Sequence, residues 1–314
     1  MGKSFISESP PSARLGIAET YKSREIEGIV DLLFYRRVGF RLARFFGGLG
    51  FTPTAITMIG GVFGVIAGHL YFYHTLFLNL IGVALHVIAN IFDNADGQLA
   101  RLTNQQSRTG RILDLTVDHI IWFSIYAHLA LRLRLQGFSG AIFVLAIAAG
   151  LSHALQAAAH DYWRHAYLYF GKRRGELDSA SSVERDYRRL SWRENAWPKI
   201  LLALYLGGIR EQELLFPSIK RLRERVRLMS GDFIPDWFQF RYEALVGPTF
   251  KWWGLLMTNS RMLILFILFL IQQPVWFFWA EITVGNILLL FLILQQQRII
   301  RLLMDFFTTQ KEFA

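Results

Sequence analysis

From residue 52 onward, long apolar stretches alternate with short polar ones, and the stretches have the length of helices that cross a bilayer. Thr52-Pro53 opens the first, about 54–73, with proline at the helix start, where its missing N–H is harmless. The second runs from about Leu76 to Arg101, the third from near Gly110 to Arg132 or Arg134, and the fourth from about Ala141 to Asp161. A last apolar block, Leu255 to Ile300, is interrupted by Gln272-Gln273-Pro274. Splitting it there predicts two further spans, Leu255 to Ile271 and Val275 to Leu294. Two segments depart from this pattern. Between Gly28 and Phe46, Leu32, Leu33, Phe34, Val38, Leu42 and Phe45 alternate with Arg36, Arg37, Arg41 and Arg44, which predicts a basic amphipathic helix in the membrane interface with its arginines reaching for headgroups. Residues 171–253 are polar and charge-rich. An apolar patch at Trp197 to Leu206 and a basic one at Lys220 to Arg227 predict short amphipathic helices pressed on the membrane surface, without a sustained apolar core.

The expected fold is therefore an all-α integral membrane protein with six transmembrane helices. Residues 1–51 hold the interfacial helix, 52–168 helices one to four, 169–253 a cytoplasmic insert, and 254–314 helices five and six with a tail. Composition agrees: of 314 residues 53% are hydrophobic, with 27 Phe and 9 Trp. No charged, small-residue-terminated segment opens the chain, so the first span is expected to act as its own insertion signal. Residues 1–27 are polar and expected to be loosely ordered. The absence of cysteine excludes disulfides and thiolate metal sites. A net charge of +10 fits anionic headgroups better than nucleic acid in so apolar a chain. With six spans, 32 of the 34 Lys and Arg lie on the side of both termini and only Arg132 and Arg134 lie opposite, which predicts that side to be cytoplasmic.

Four carboxylates stand where an apolar span would normally avoid one: Asp93, Asp96, Asp114 and Asp118. Each charge at bilayer depth costs roughly 2.5–3.5 kcal/mol on insertion scales. On a helix, Asp93, Asp96, Gly97 and Ala100 share one face, and Gly110, Asp114 and Asp118 share one face of the next. Two helices meeting on those faces would bring the four carboxylates into one oxygen-rich site suited to hard divalent cations, which would offset the charge and still attract a diphosphate. Gly97, Ala100 and Gly110 keep those faces bare, and Arg101 suits a phosphate clamp.

The run Asp93-x-x-Asp96-Gly97-x-x-Ala100-Arg101, eight residues, Gly110-x-x-x-Asp114-x-x-x-Asp118 resembles the signature of the CDP-alcohol phosphotransferases without a mismatch. Members usually carry Pro-Asn where this chain has Pro53-Thr54. The resemblance implies Asp93, Asp96, Asp114 and Asp118 as ligands of two divalent cations, Mg2+ or else Mn2+, with Asp118 also the base that activates the acceptor. It implies Gly97, Ala100, Arg101 and Gly110 around the nucleotide, and a homodimer. The implied reaction moves a substituted phosphoryl group from a CDP-linked donor to an alcohol hydroxyl and releases CMP. CDP-diacylglycerol is the favoured donor because Arg164 and Arg261 could hold a polar, phosphorylated acceptor; the alternative is a soluble CDP-alcohol acting on a lipid hydroxyl. A divalent-cation transporter would explain the carboxylates but not the small residues and arginine at their spacing. An Asp-x-x-Asp-Gly fragment alone would more often be a calcium-type loop or a solvated turn.

Overall fold

The computed structural model describes residues 25–174, 177–231 and 233–311, and every regular element among them is helical. Most of the polar leader, residues 1–24, lies outside the described residues. The residues just after it are engaged: Glu25 pairs with Lys172 at 3.0 Å and Glu27 with Arg36 at 3.0 Å. Arg36 thus departs from the expected headgroup contact. Its side chain is buried against Glu27 because a carboxylate within reach satisfies the guanidinium without solvent.

A π-helical turn, Asp31–Tyr35, leads into α1 (Arg36–Gly48), and Gly50, at φ 80°, turns the chain toward the first span. Helix α2 (Pro53–Leu70) starts at Thr52, whose Oγ1 accepts from the Ala55 N–H at 3.2 Å. It packs against α3 (Leu76–Leu102) and α4 (Arg108–Leu135) through its glycines. A Cβ at Gly64 would sit 2.5 Å from Ile121, and one at Gly68 would sit 2.9 Å from the Ile125 backbone nitrogen. The small-residue stripe is therefore filled from within the chain. At the far end, Arg132 is fully buried and donates to Asn79 Oδ1 at 2.8 Å, the Tyr71 carbonyl and Gln272 Oε1, which ties two turns together.

Helix α5 (Ala141–Lys172) runs eleven residues past the predicted end of its span and stops at Arg173, in left-handed conformation. Its extension carries the insert: α6 (Ala180–Arg189), α7 (Ala196–Leu215), α8 (Pro217–Ser230), α9 (Asp236–Val246) and the short α10 (Phe250–Trp253). The expectation that this insert lacks an apolar core is wrong. Phe216, Ile219, Leu222, Val226, Phe238, Tyr242 and Trp253 are buried with Trp163, Tyr167 and Phe170 of α5 and with Leu292, Ile299 and Leu303 of the last helix. In this cluster α8 and α9 pack on helices far away in sequence. A second patch, Val183, Leu201, Leu202, Leu206 and Ile209, covers Ile112 of α4. Beside it Arg108 pairs with Asp186 at 2.6 Å and with Asp178 at 3.1 Å.

Helix α11 (Thr258–Leu270) turns back at Gln272-Gln273-Pro274, and α12 (Val275–Ala280), a π-helical turn (Glu281–Gly285) and α13 (Asn286–Lys311) complete the described chain. Among the described residues, five helical runs are long and apolar enough to cross a membrane: Pro53–Leu70, Leu76–Leu102, Ala141–Lys172, Asp236–Leu270 and Val275–Phe306. Helix α4 has the length but not the apolarity, since Asp114, Asp118 and Arg132 fall along it.

Candidate active site

The two predicted helix faces meet. Carboxylate oxygens of Asp93, Asp96 and Asp114 lie within 4.8 Å of one another, the first two on α3 and the third on α4. Asp118, one turn beyond Asp114, lines the same cavity of about 90 Å³. That volume admits a polar group displacing several waters rather than a whole lipid. Three converging carboxylates with a fourth beside them offer only hard oxygen donors, so the residues fit divalent cations of the Mg2+ or Mn2+ type.

The acid cluster is supported from α2. Thr57 Oγ1 donates to Asp96 Oδ2 at 2.6 Å, and Asp96 is only 6% exposed, so this hydroxyl fixes which way the carboxylate turns. Thr57→Val is nearly isosteric and removes the donor. It is expected to weaken divalent binding by about tenfold or more, read by Mn2+ titration of the folded protein; unchanged affinity would show that packing alone orients Asp96.

Gly97, Ala100, Arg101 and Gly110 do not line this cavity. A Cβ added at Gly97 would meet nothing within 3.4 Å, the Arg101 guanidinium being nearest at 3.5 Å, and one at Gly110 would meet only Ser107 Oγ at 3.0 Å. In contrast to the glycines of α2, these two are not needed for helix packing, and their bare faces leave room for a ligand. Arg101 Nε and Nη2 are buried without a hydrogen-bond partner, which suits an anion at the end of α3.

The two arginines expected at the acceptor also lie away from the cavity. Arg164 donates to Asp161 at 2.5 Å. Arg261, 3% exposed, pairs with Glu281 at 2.9 Å and donates to Gln156 Oε1 at 2.6 Å and to the Leu256 carbonyl. The sequence pattern offered no partner for Arg261, because Glu281 lies twenty residues on, across a hairpin. His160 packs against Phe250 and Trp253. Asn90, on α3 just before Asp93, lines the cavity and donates to Met262 Sδ at 2.7 Å.

Three lining residues carried no sequence signal for this site: Asp31, Thr57 and Asn259. Thr57 is an ordinary apolar-span threonine until Asp96 is placed opposite it. Asp31 sits in a segment that reads as interfacial, and burial lifts its carboxyl above the ordinary range, against the pull of the Asn259 amide and of Arg36.

The model of the CDP-alcohol phosphatidyltransferase family matches residues 51–172, which contain α2 to α5 and all four aspartates. The chain is similar to a phosphatidylinositol phosphate synthase of Streptomyces avermitilis, 35% identical over 100 residues, which is 31% of this chain and 39% of that protein. It is also similar to an archaetidylinositol phosphate synthase of Pyrococcus horikoshii, 34% identical over 91 residues, 29% of this chain and 47% of that one. A putative cardiolipin synthase of Mycobacterium tuberculosis is 38% identical over 61 residues, 19% of this chain and 29% of the relative. The chain thus spans less than half the length of each of these relatives. Helix α1, helices α6 to α10 and helices α11 to α13 fall outside the matched residues.

Proposed function

We propose that the chain is a phospholipid-biosynthetic transferase that moves a substituted phosphoryl group from a CDP-linked donor, CDP-diacylglycerol in the favoured arrangement, to an alcohol hydroxyl with release of CMP. The observation that carries this reading is the convergence of Asp93, Asp96 and Asp114 within 4.8 Å, beside Asp118, inside a domain of this family. Asp93, Asp96, Asp114 and Asp118 would hold two divalent cations, whose chemistry is to neutralise charge on a diphosphate and its leaving group. Arg101, with its buried unpartnered nitrogens, would take up the donor's phosphate charge, and the bare faces at Gly97, Ala100 and Gly110 would let the nucleotide approach the backbone. Asp118 takes the proton of the acceptor hydroxyl. The acceptor oxygen then bonds to the distal phosphorus of the donor, the bond from that phosphorus to the bridging oxygen breaks, and CMP leaves with the electron pair.

Helix α4 is read as a sixth span, because its charged residues are satisfied inside the protein: the acids at the site, and Arg132 by Asn79 and two further oxygens. The basic bias of the polar segments favours both termini, the insert and the site at the cytoplasmic face, where one substrate can arrive from the bilayer, CDP-diacylglycerol in the favoured arrangement, and the other from water. A homodimer belongs to the same reading by resemblance to the family.

The test is purified protein with labelled CDP-diacylglycerol and a panel of polar alcohols, run beside CDP-choline, CDP-ethanolamine and CDP-inositol with lipid acceptors. CMP release is expected with the first donor alone, abolished by EDTA and restored by Mg2+ or Mn2+. Divalent uptake into vesicles without CMP release would instead mark a transporter.

A further inference from the structure

The cavity extends from the acid cluster toward the start of α11, and there its wall comes from outside the family domain: Asp31 ahead of α1, and Met257, Thr258 and Asn259. Asn259 Nδ2 donates to Asp31 Oδ1 at 2.9 Å, which fixes the carboxylate and straps the N-terminal segment to α11. Gly28 leaves it room, since a Cβ there would sit 2.9 Å from Asp31 Oδ2. Asn90 and Asn94 of α3 line the same cavity.

None of the lining residues is Lys or Arg. Arg36, whose charge is felt at Asp31, is paired with Glu27, and no cation forms an ion pair with Asp31 among the described residues. A phosphate placed directly against Asp31 would face a half-buried carboxylate that only Arg36, shared with Glu27, pulls on. A hydroxyl would find a charged acceptor flanked by amides, and a buried charged acceptor discriminates strongly for O–H donors.

We propose that Asp31, oriented by Asn259, is a hydroxyl-recognition subsite of this cavity, which takes an uncharged hydroxyl of the substrate and disfavours a phosphate in its place. Its bearing on substrate choice rests on the transferase reading. The same chemistry has two sources there, a further hydroxyl of a polyol acceptor or the ribose of the nucleotide donor, so the experiment has an arm for each.

Equilibrium binding to the full-length protein in detergent micelles, with Mn2+ present, compares myo-inositol with inositol 1-phosphate and CMP with 2′-deoxy-CMP. In one of the two pairs the hydroxyl-bearing ligand is expected to bind the native chain more tightly by about 10- to 100-fold, the worth of a hydrogen bond to a charged group. Asp31→Asn should shrink that ratio at least about tenfold, and Gly28→Ala, which displaces the carboxylate without removing it, should shrink it too, with Mn2+ affinity retained as the sign of an intact fold. Discrimination in the inositol pair assigns the subsite to the acceptor, and discrimination in the CMP pair assigns it to the ribose; either supports the proposal. Ratios unchanged in both variants, or tighter binding of inositol 1-phosphate with no ribose preference, overturn it. Because binding needs no turnover, a chain that discriminates in this way yet releases no CMP overturns the transferase reading and leaves the subsite standing.

Discussion

Asp118→Asn is expected to lower the turnover number for CMP release by about 10²- to 10⁴-fold, the usual contribution of a positioned base. The substitution keeps shape and hydrogen-bonding capacity but removes the group that accepts the proton. Asp118 differs from the other three acids in its place. Asp93, Asp96 and Asp114 form the tight cluster, whereas Asp118 lies one turn further along the cavity wall. If its main work is proton transfer, Mn2+ affinity and donor KM stay close to native while turnover collapses. If its main work is coordination, Mn2+ affinity falls together with turnover. Paired measurements of Mn2+ affinity and turnover separate the two roles, and turnover near the native value would remove Asp118 from the chemistry.

The second large effect concerns stability. Glu281→Leu leaves the Arg261 guanidinium buried without its carboxylate and is expected to destabilise the fold by about 3–5 kcal/mol. Gln156 and the Leu256 carbonyl would still accept from Arg261, but neither carries charge. Combining Glu281→Leu with Arg261→Met removes both charges, and most of the loss should return, since an apolar pair of similar volume is often as stable as the ion pair it replaces. Thermal unfolding in detergent reads both variants. The outcome bears on function too. If Arg261 binds the acceptor, the double variant regains stability but has a raised acceptor KM; if the arginine only joins α11 to the turn after α12, acceptor KM is unmoved.

The spans and the acid faces were legible because both rest on local periodicity. Apolar runs of span length predicted α2, α3, the start of α5 and the hairpin at Gln272-Gln273-Pro274 within a few residues, and spacing alone put Asp93 and Asp96 opposite Asp114. Three features were not legible, each for a reason of distance. The ion pair of Arg261 bridges a turn, so its partner reads as a stray acid at the head of a span. Asp31 belongs to the cavity only because Asn259, 228 residues on, draws it there. The insert hides its core because each of its helices shows a single apolar stripe, with Phe216, Leu222 and Tyr242 finding partners on α5 and α13. Charge misled in the other direction: α4 falls short of the apolarity of a span because Asp114 and Asp118, which line the acid cavity, lie along it.

The shared core of the insert limits how this chain can be trimmed. Cutting from α6 to α10 and rejoining α5 to α11 with a short linker, as one would prune a surface loop, would strip the cover from Trp163, Tyr167 and Phe170 and from Ile112, on the same helix as Asp114 and Asp118. The pruned protein would present greasy flanks to water beside the acid cavity, so an attempt at a minimal version should yield aggregates, and the region outside the family match behaves as a fixed part of the scaffold.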